Sequence, residues 1–262
     1  MNPPSIDMKS KLTLLTRLGF AARGLLYIVI ATLVLRTGRT EDPGGALNYL
    51  AQGNGRWLVL VMAAGFIAYG IWRLSDGLFN IEQHPASGKG IRERIAASAS
   101  GFVHLTLAWQ AIRLGRGAPT QQQDGAQEGA ATALSMPGGE MALILGGVIL
   151  LGVGLFQLIK AAKQSYLRHL EPGVANRVWA KWTGRIGYAA RGLVFLIIGY
   201  FLLRAGLDSQ ATKAGDMAKA LDWLTSPWDV LVAVGLLGFG LFSLIEARFR
   251  VLNDVPIHRL AR

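Results

Sequence analysis

Six long apolar runs constrain this chain more than any other feature. They lie at roughly 17–36, 57–79, 95–114, 141–162, 186–205 and 228–248. Each supplies the ~20 predominantly apolar residues that an α-helix needs to cross a bilayer. A helix on the surface of a soluble protein keeps a polar face. Here Leu143 to Leu158 and Leu193 to Leu203 are apolar all round, apart from glycines and Gln157. Composition alone leaves two classes open: 52% hydrophobic residues and a net charge of +11 fit a membrane protein or a basic nucleic-acid binder. The apolar runs select the first, an all-α polytopic membrane protein with six transmembrane helices. All nine prolines fall outside the runs. Proline breaks the helical hydrogen-bond ladder, so the six helices are expected to be unkinked. The absence of cysteine excludes disulfides, thiolate metal sites and cysteine nucleophiles.

Basic residues set the expected orientation. The side holding both chain ends and the loops near 80–94 and 160–185 carries 19 Lys or Arg and 7 Asp or Glu, against 8 and 9 on the other. Both termini are therefore predicted to be cytoplasmic, with the protein in a bacterial inner membrane. Lys160, Lys163, Arg168, Arg177, Lys181 and Arg185 crowd one loop on the basic side. Anionic lipid headgroups account for them at about 1 kcal/mol per residue. No nucleic-acid partner is needed.

The chain also repeats itself. Arg17-Leu18-Gly19-Phe20-Ala21-Ala22-Arg23-Gly24 returns as Arg185-Ile186-Gly187-Tyr188-Ala189-Ala190-Arg191-Gly192, and eleven of 22 positions are identical between 17–38 and 185–206. A weaker middle copy aligns through Arg94, Ser98, Ser100, Gly101, Arg113 and Gly115. The second helices repeat as well, in Ala68-Tyr69-Gly70, Gly152-Val153-Gly154 and Gly238-Phe239-Gly240. Ala46-Leu47-Asn48, Ala133-Leu134-Ser135 and Ala220-Leu221-Asp222 predict a short interfacial helix ahead of each second helix. The stretch from Pro119 to Ala133, rich in Gln, Ala and Gly, is expected to be mobile. Repeats of two spans each, over 12–82, 89–168 and 180–252, share one orientation. They predict a pseudo-threefold bundle within a single membrane domain.

The Arg-x-Gly-[aromatic]-Ala-Ala-Arg-Gly opening and the later Gly-x-[aromatic] segment resemble the bacterial domain-of-unknown-function family numbered 1206, described as three repeats of paired membrane helices. The resemblance covers nearly the whole chain and is eroded in the second repeat, where Ser100 replaces arginine. It implies the fold but no activity, cofactor or catalytic residue.

Charged residues inside a span cost about 2.5–3.5 kcal/mol each at its centre and usually have a partner. Arg23 and Arg191 occupy equivalent positions on the first helices, as do Asp76, Lys160 and Glu246 on the second. The acids accompany the two arginines, and lysine accompanies Ser100. Pairing within each hairpin is therefore predicted, as Arg23–Asp76 and Arg191–Glu246. Such pairs either lock the hairpins or ring an axial gate or ion site. His104, the lone membrane histidine, aligns with Tyr27 and Phe195, so an aromatic ring is normal there. A b-type haem usually needs two facing histidines. Glycines and alanines seven apart, such as Gly24 and Ala31, predict close helix packing. The sequence has no phosphate loop, no His-Glu-x-x-His and no nucleophile elbow. It reads as a non-enzymatic structural or interaction protein without cofactor or metal, whose partners are lipid and a possible membrane protein. A small-solute or ion transporter with a central cavity is the alternative.

Overall fold

A computed structural model describes residues 8–118 and 125–251. Ten α-helices follow one another: α1 (Met8–Thr37), α2 (Pro43–Ala51), α3 (Arg56–Phe79), α4 (Gly88–Gly115), α5 (Gly125–Leu134), α6 (Gly139–Lys163), α7 (Pro172–Ala175), α8 (Val178–Leu207), α9 (Met217–Trp223) and α10 (Trp228–Phe249). No strand forms among the described residues; one isolated bridge joins Leu170 to Arg250. Among the described residues six helices are long and apolar enough to cross a membrane: Thr16–Thr37 within α1, Gly53–Phe79 around α3, Gly90–Gly115 within α4, and α6, α8 and α10 entire. Even the shortest, at 22 residues, reaches about 33 Å at 1.5 Å per residue. The chain is a multi-pass membrane protein of three parallel hairpins. The leading helices are α1, α4 and α8; the trailing helices are α3, α6 and α10.

The expected short helices are α2, α5 and α9. Asp42 caps α2 by accepting from Gly45 N at 2.6 Å, and Asp216 caps α9 by accepting from Lys219 N at 3.0 Å. Each cap satisfies a helix-end amide that has no partner inside the helix. Ala46 and Leu47, like Ala220 and Leu221, are fully buried. In the second repeat the aligned position is Gly129, which has no side chain to cap with, and it lies inside α5. The stretch expected to be mobile falls partly outside the described residues, at 119–124; from Gly125 it is helical.

Helix packing follows the threefold repeat, but between hairpins more than within them. Trailing helix α3 packs on α4, α6 on α8, and α10 on α1. Each seam crosses at a pair of repeat-equivalent glycines: Gly70 with Gly101, Gly154 with Gly192, and Gly240 with Gly24. A Cβ at any of the six would lie 2.8–3.1 Å from the facing glycine's carbonyl oxygen. Only hydrogen fits there, which is the small-residue solution to helix contact in a bilayer. Branched aliphatic side chains flank every crossing in the same register: Leu244 and Ile28, Leu74 and Leu105, Leu158 and Leu196.

Within the hairpins the symmetry breaks. Helices α1 and α3 pack together, as do α8 and α10, while α4 and α6 do not pack on each other among the described residues. The cause is local. Gly19 receives Tyr69 and Gly65 receives Ala22; in the third repeat Gly187 receives Phe239 and Gly235 receives Ala190. The aligned residues in the second repeat are Ala96 and Ile149, both exposed, and the partner alanine is the exposed Ala99. Two close approaches are thus blocked by side chains, and Gly152 meets only open space. The six helices form a ring open on one side, in the order α4, α3, α1, α10, α8, α6.

Gly24→Leu would drive a side chain into Leu244 and the Gly240 carbonyl. It is expected to destabilise the detergent-solubilised protein by about 1–3 kcal/mol or more. Gly152→Leu, at the open seam, is expected to leave the melting temperature unchanged.

Candidate functional site

Three positions per repeat concentrate the polar chemistry. One residue before the crossing glycine on the leading helices stand Arg23, Ser100 and Arg191. Six residues after it on the trailing helices stand Asp76, Lys160 and Glu246, with Arg73, Gln157 and Ser243 one turn earlier. Leading helices start, and trailing helices end, on the side that holds both ends of the described chain, Met8 and Val251. All nine residues therefore lie in that half of the bundle.

The α10–α1 seam is neutralised internally. Arg23 donates from Nη2 to Glu246 at 2.6 Å, from Nε to Ser243 Oγ at 3.1 Å and from Nη1 to Tyr69 Oη at 3.0 Å. Its guanidinium also lies over Phe20, Phe239 and Tyr69, 4.6–5.4 Å from their ring centres. Arg23 and Glu246 are buried. The network continues outward: Arg250 donates to Glu246 at 3.1 Å and to Glu82 at 2.8 Å. This corrects the pairing expected within hairpins. Arg23 reaches the last helix of the bundle, not Asp76, because the Gly24–Gly240 crossing brings α10 closest at that depth.

At the α3–α4 seam the arginine is missing and the carboxylate finds other donors. Asp76 is fully buried. It accepts from Arg73 Nη1 at 3.2 Å and from the backbone of Glu82 at 2.8 Å. His84 lies between two carboxylates, with Nε2 3.1 Å from Asp76 and Nδ1 2.8 Å from Glu93. Asn80, in the left-handed conformation, folds the loop back by bonding His84 through both backbone groups. Arg94 donates to the carbonyls of Gly77 and Leu78 at 2.9 and 2.8 Å, capping the end of α3. Ligand atoms of Asp76, Glu82 and His84 lie within 4.8 Å of one another. Arginines already engage both carboxylates, so the cluster is an ion-pair network rather than a cation cage.

The α6–α8 seam differs from both. Arg191 and Lys160 are both cations, and neither has a carboxylate within ion-pair distance among the described residues. This overturns the expected Arg191–Glu246 pair, since Arg23 holds Glu246. Arg191 donates only from Nε, to Tyr27 Oη at 3.0 Å. Its guanidinium rests against Phe195 and Phe239 at 4.7 and 4.9 Å. The Lys160 ammonium lies 4.7 Å from the centre of the Tyr188 ring. Gln157 is buried. The charge reversal at Lys160 therefore meets the Tyr188 ring of the next helix, not Ser100 in its own hairpin.

His104 is buried, with Nδ1 2.7 Å from the carbonyl of Ser100 and its ring 4.3 Å from Tyr69. It is a packed, hydrogen-bonded ring, the counterpart of Tyr27 against Phe239 at 4.8 Å. Sequence reasoning missed Arg73, Glu82, His84, Arg250 and Tyr166. Arg73 and Arg250 were signalled by their i−3 and i+4 spacing to Asp76 and Glu246. Glu82 and His84 gave no signal, because only the loop's backward fold brings them to the site. Tyr166 enters from the loop after α6, stacks 5.1 Å from Tyr188 and donates to Lys181 O at 2.6 Å.

Outside the spans, burial alone would push the Glu82 carboxyl up. The Arg250 charge and hydrogen bond outweigh it and hold the group at about 2. Burial pushes the neighbouring His169 imidazole down to about 3, and Arg250 reinforces the effect. His169 is thus neutral near pH 7.

A family model described as a Domain of Unknown Function, DUF1206, matches residues 18–80, 95–164 and 186–250. The chain is 29% identical over 251 residues to the uncharacterized protein YxxB of Bacillus subtilis (strain 168), covering 89% of this chain and 90% of that one. No solved structure matches.

Two outcomes test the network. Truncating Arg23 to Ala leaves Glu246 buried without its main partner; a loss of about 3–5 kcal/mol in unfolding free energy is expected. The depressed carboxyl of Glu82 gives the Glu82–Arg250 tie its full strength above about pH 4.5 and removes it as pH falls toward 2. Over that window the melting temperature of the wild type is expected to fall more steeply than that of Glu82→Gln.

Proposed function

The chain belongs to the DUF1206 family, and from that premise we propose a function at the open seam of the second repeat. The protein is a non-enzymatic component of the bacterial cytoplasmic membrane that receives another membrane constituent there, with both chain ends facing the cytoplasm. The observation that carries this reading is the break between α4 and α6. In the first and third repeats, Ala22 and Ala190 are buried against a glycine of the trailing helix. In the second, Ala96, Ala99 and Gly152 lie exposed. Helices in a bilayer associate through small residues that allow close approach, and this face has the composition of an interface without the partner helix. Glu93 and Arg168 approach to 3.7 Å across the chain-end side of the seam. Arg168 is half exposed there, so the contact is a weak latch.

The orientation rests on the excess of Lys and Arg on the chain-end side. A transporter reading draws on the cations Arg191 and Lys160, which make no salt bridge among the described residues. Against an open permeation path stand the ring contacts Tyr27–Phe239 and Tyr69–His104 at 4.8 and 4.3 Å. They occupy equivalent places beside the Arg23 and Ser100 positions.

Photo-crosslinking side chains at Ala99 and Ile149 are expected to capture a membrane constituent in cells, where the same probe at lipid-facing Leu241 captures none. Equal capture at all three positions refutes the seam as a binding face. Topology has its own test, since the chain lacks cysteine. A membrane-impermeant maleimide applied to intact spheroplasts is expected to label Gln52→Cys and to spare Ala86→Cys.

A further inference from the structure

We infer that His84 is an imidazolium that holds Glu93 away from Arg168, so that loss of its proton tightens the chain-end side of the α4–α6 seam. The inference rests on the open-seam reading, because it names the regulation of that face. The argument begins with a count of protons. Nε2 of His84 lies 3.1 Å from Asp76 Oδ2, and Nδ1 lies 2.8 Å from Glu93 Oε2. An ionised carboxylate only accepts, and a neutral imidazole carries one N–H. A neutral ring would therefore set a lone pair against one of the two oxygens, whereas the imidazolium donates to both. The ring cannot swing aside, because Asn80 holds its backbone twice. His84 N donates to Asn80 Oδ1 at 2.8 Å, and Asn80 Nδ2 donates to His84 O at 3.0 Å.

Each element around the ring brings charge. Helix α3 brings Asp76 and Arg73, paired at 3.2 Å. The loop after it brings Glu82, paired at 2.8 Å with Arg250 from the end of α10. Helix α4 brings Glu93, and its Arg94 is spent on the carbonyls of Gly77 and Leu78. The segment after α6 brings Arg168, which donates from Nε to His169 Nε2 at 3.0 Å and stands 3.7 Å from Glu93 through Nη2. Each of the three acids thus has an arginine, and the cluster can lose the imidazole proton without leaving a carboxylate uncovered. One His84 contact must then go, and burial decides which. The Asp76 side chain is fully buried, while that of Glu93 is 17% exposed. Withdrawing a donor from a buried acceptor costs more than from one that water reaches. The remaining N–H stays on Nε2, and the bare Nδ1 repels Glu93. Glu93 turns to Arg168, whose present separation is long for a charge-assisted hydrogen bond and whose half-exposed side chain can follow. Glu93 lies in the second turn of α4 and Arg168 just past α6, so the exchange draws the two sides of the seam together. Histidine is the side chain that changes charge near neutral pH.

The test uses the full chain, with its histidines labelled with nitrogen-15, in neutral detergent over about pH 5–9. The His84 signals are those that His84→Phe removes. Both ring nitrogens are expected to carry protons at the acid end, and Nε2 alone at the alkaline end. Arg168→Gln is expected to lower the melting temperature by about 1–3 °C at the alkaline end and not at the acid end. In a His84→Phe background, where the ring has no donors, that cost is expected at both ends. Glu93→Gln keeps the ring and is expected to abolish the cost throughout. In cells, a photo-crosslinker at Ala99 is expected to capture up to about fivefold less in His84→Phe than in wild type, the shift an exposed ion pair can supply. Adding Arg168→Gln is expected to restore it. The inference fails if neutral His84 keeps its proton on Nδ1, if Arg168→Gln costs the same at both ends, or if His84→Phe leaves an observed capture unchanged. Capture at Ala99 without the spectral and melting changes overturns this inference alone. Those changes with no capture at Ala99 in any variant overturn the seam reading alone.

Discussion

Where Gly24 meets Gly240, two helices come so close that neither has room for a methyl group. The same approach recurs at Gly70–Gly101 and Gly154–Gly192, and it organises the bundle. A bilayer offers no hydrophobic gain for bringing two apolar helices together, so contact must come from dispersion and backbone proximity. Glycine provides both, and it fixes the register. Everything six residues beyond a trailing-helix glycine then falls opposite the start of the next hairpin. The seams between hairpins are therefore the invariant part of the architecture, and the hairpins themselves are the variable part.

That frame explains the uneven electrostatics. Three equivalent seams receive three different charge sets. One pairs Arg23 with Glu246, one ties Asp76 to Arg73 and His84, and one rests Lys160 on Tyr188 and Arg191 on Phe195 and Phe239. A buried charge is tolerable when donors and acceptors close around it, and at the first two seams Glu246 and Asp76 find arginine donors within the chain. At the third, aromatic rings lie against both cations. The break between α4 and α6 lies beside this third seam.

Much of this was legible in the sequence. Spans, repeats and short outer helices follow from hydropathy, identity and the Ala-Leu pairs, because each is a local property. Partner choice was not. Asp76 and Glu246 lie at the same depth and in the same kind of helix, so pairing within a hairpin and pairing to the next one satisfy the same arithmetic. Only the side on which two glycines face each other decides between them. The open seam was hidden for a similar reason. Ala96 and Ile149 are ordinary membrane residues, and they matter only because Gly19, Gly65, Gly187 and Gly235 stand in their places elsewhere. His84 entered the site through a backward-folding loop, which no periodicity announces.

The Arg23–Glu246 contact joins residues 223 positions apart. A ribosome adding about 5–20 residues per second needs roughly 10–45 s to make that stretch. For that time Arg23 resides in the bilayer, or at its edge, with its carboxylate not yet synthesised. Arg23 is thus among the first charges to be inserted and among the last to be neutralised. The nascent chain must shelter it by snorkelling, by water or by an assisting protein until α10 emerges. A fold that ties its first spanning helix to its last makes completion of synthesis the step at which its electrostatic balance is struck.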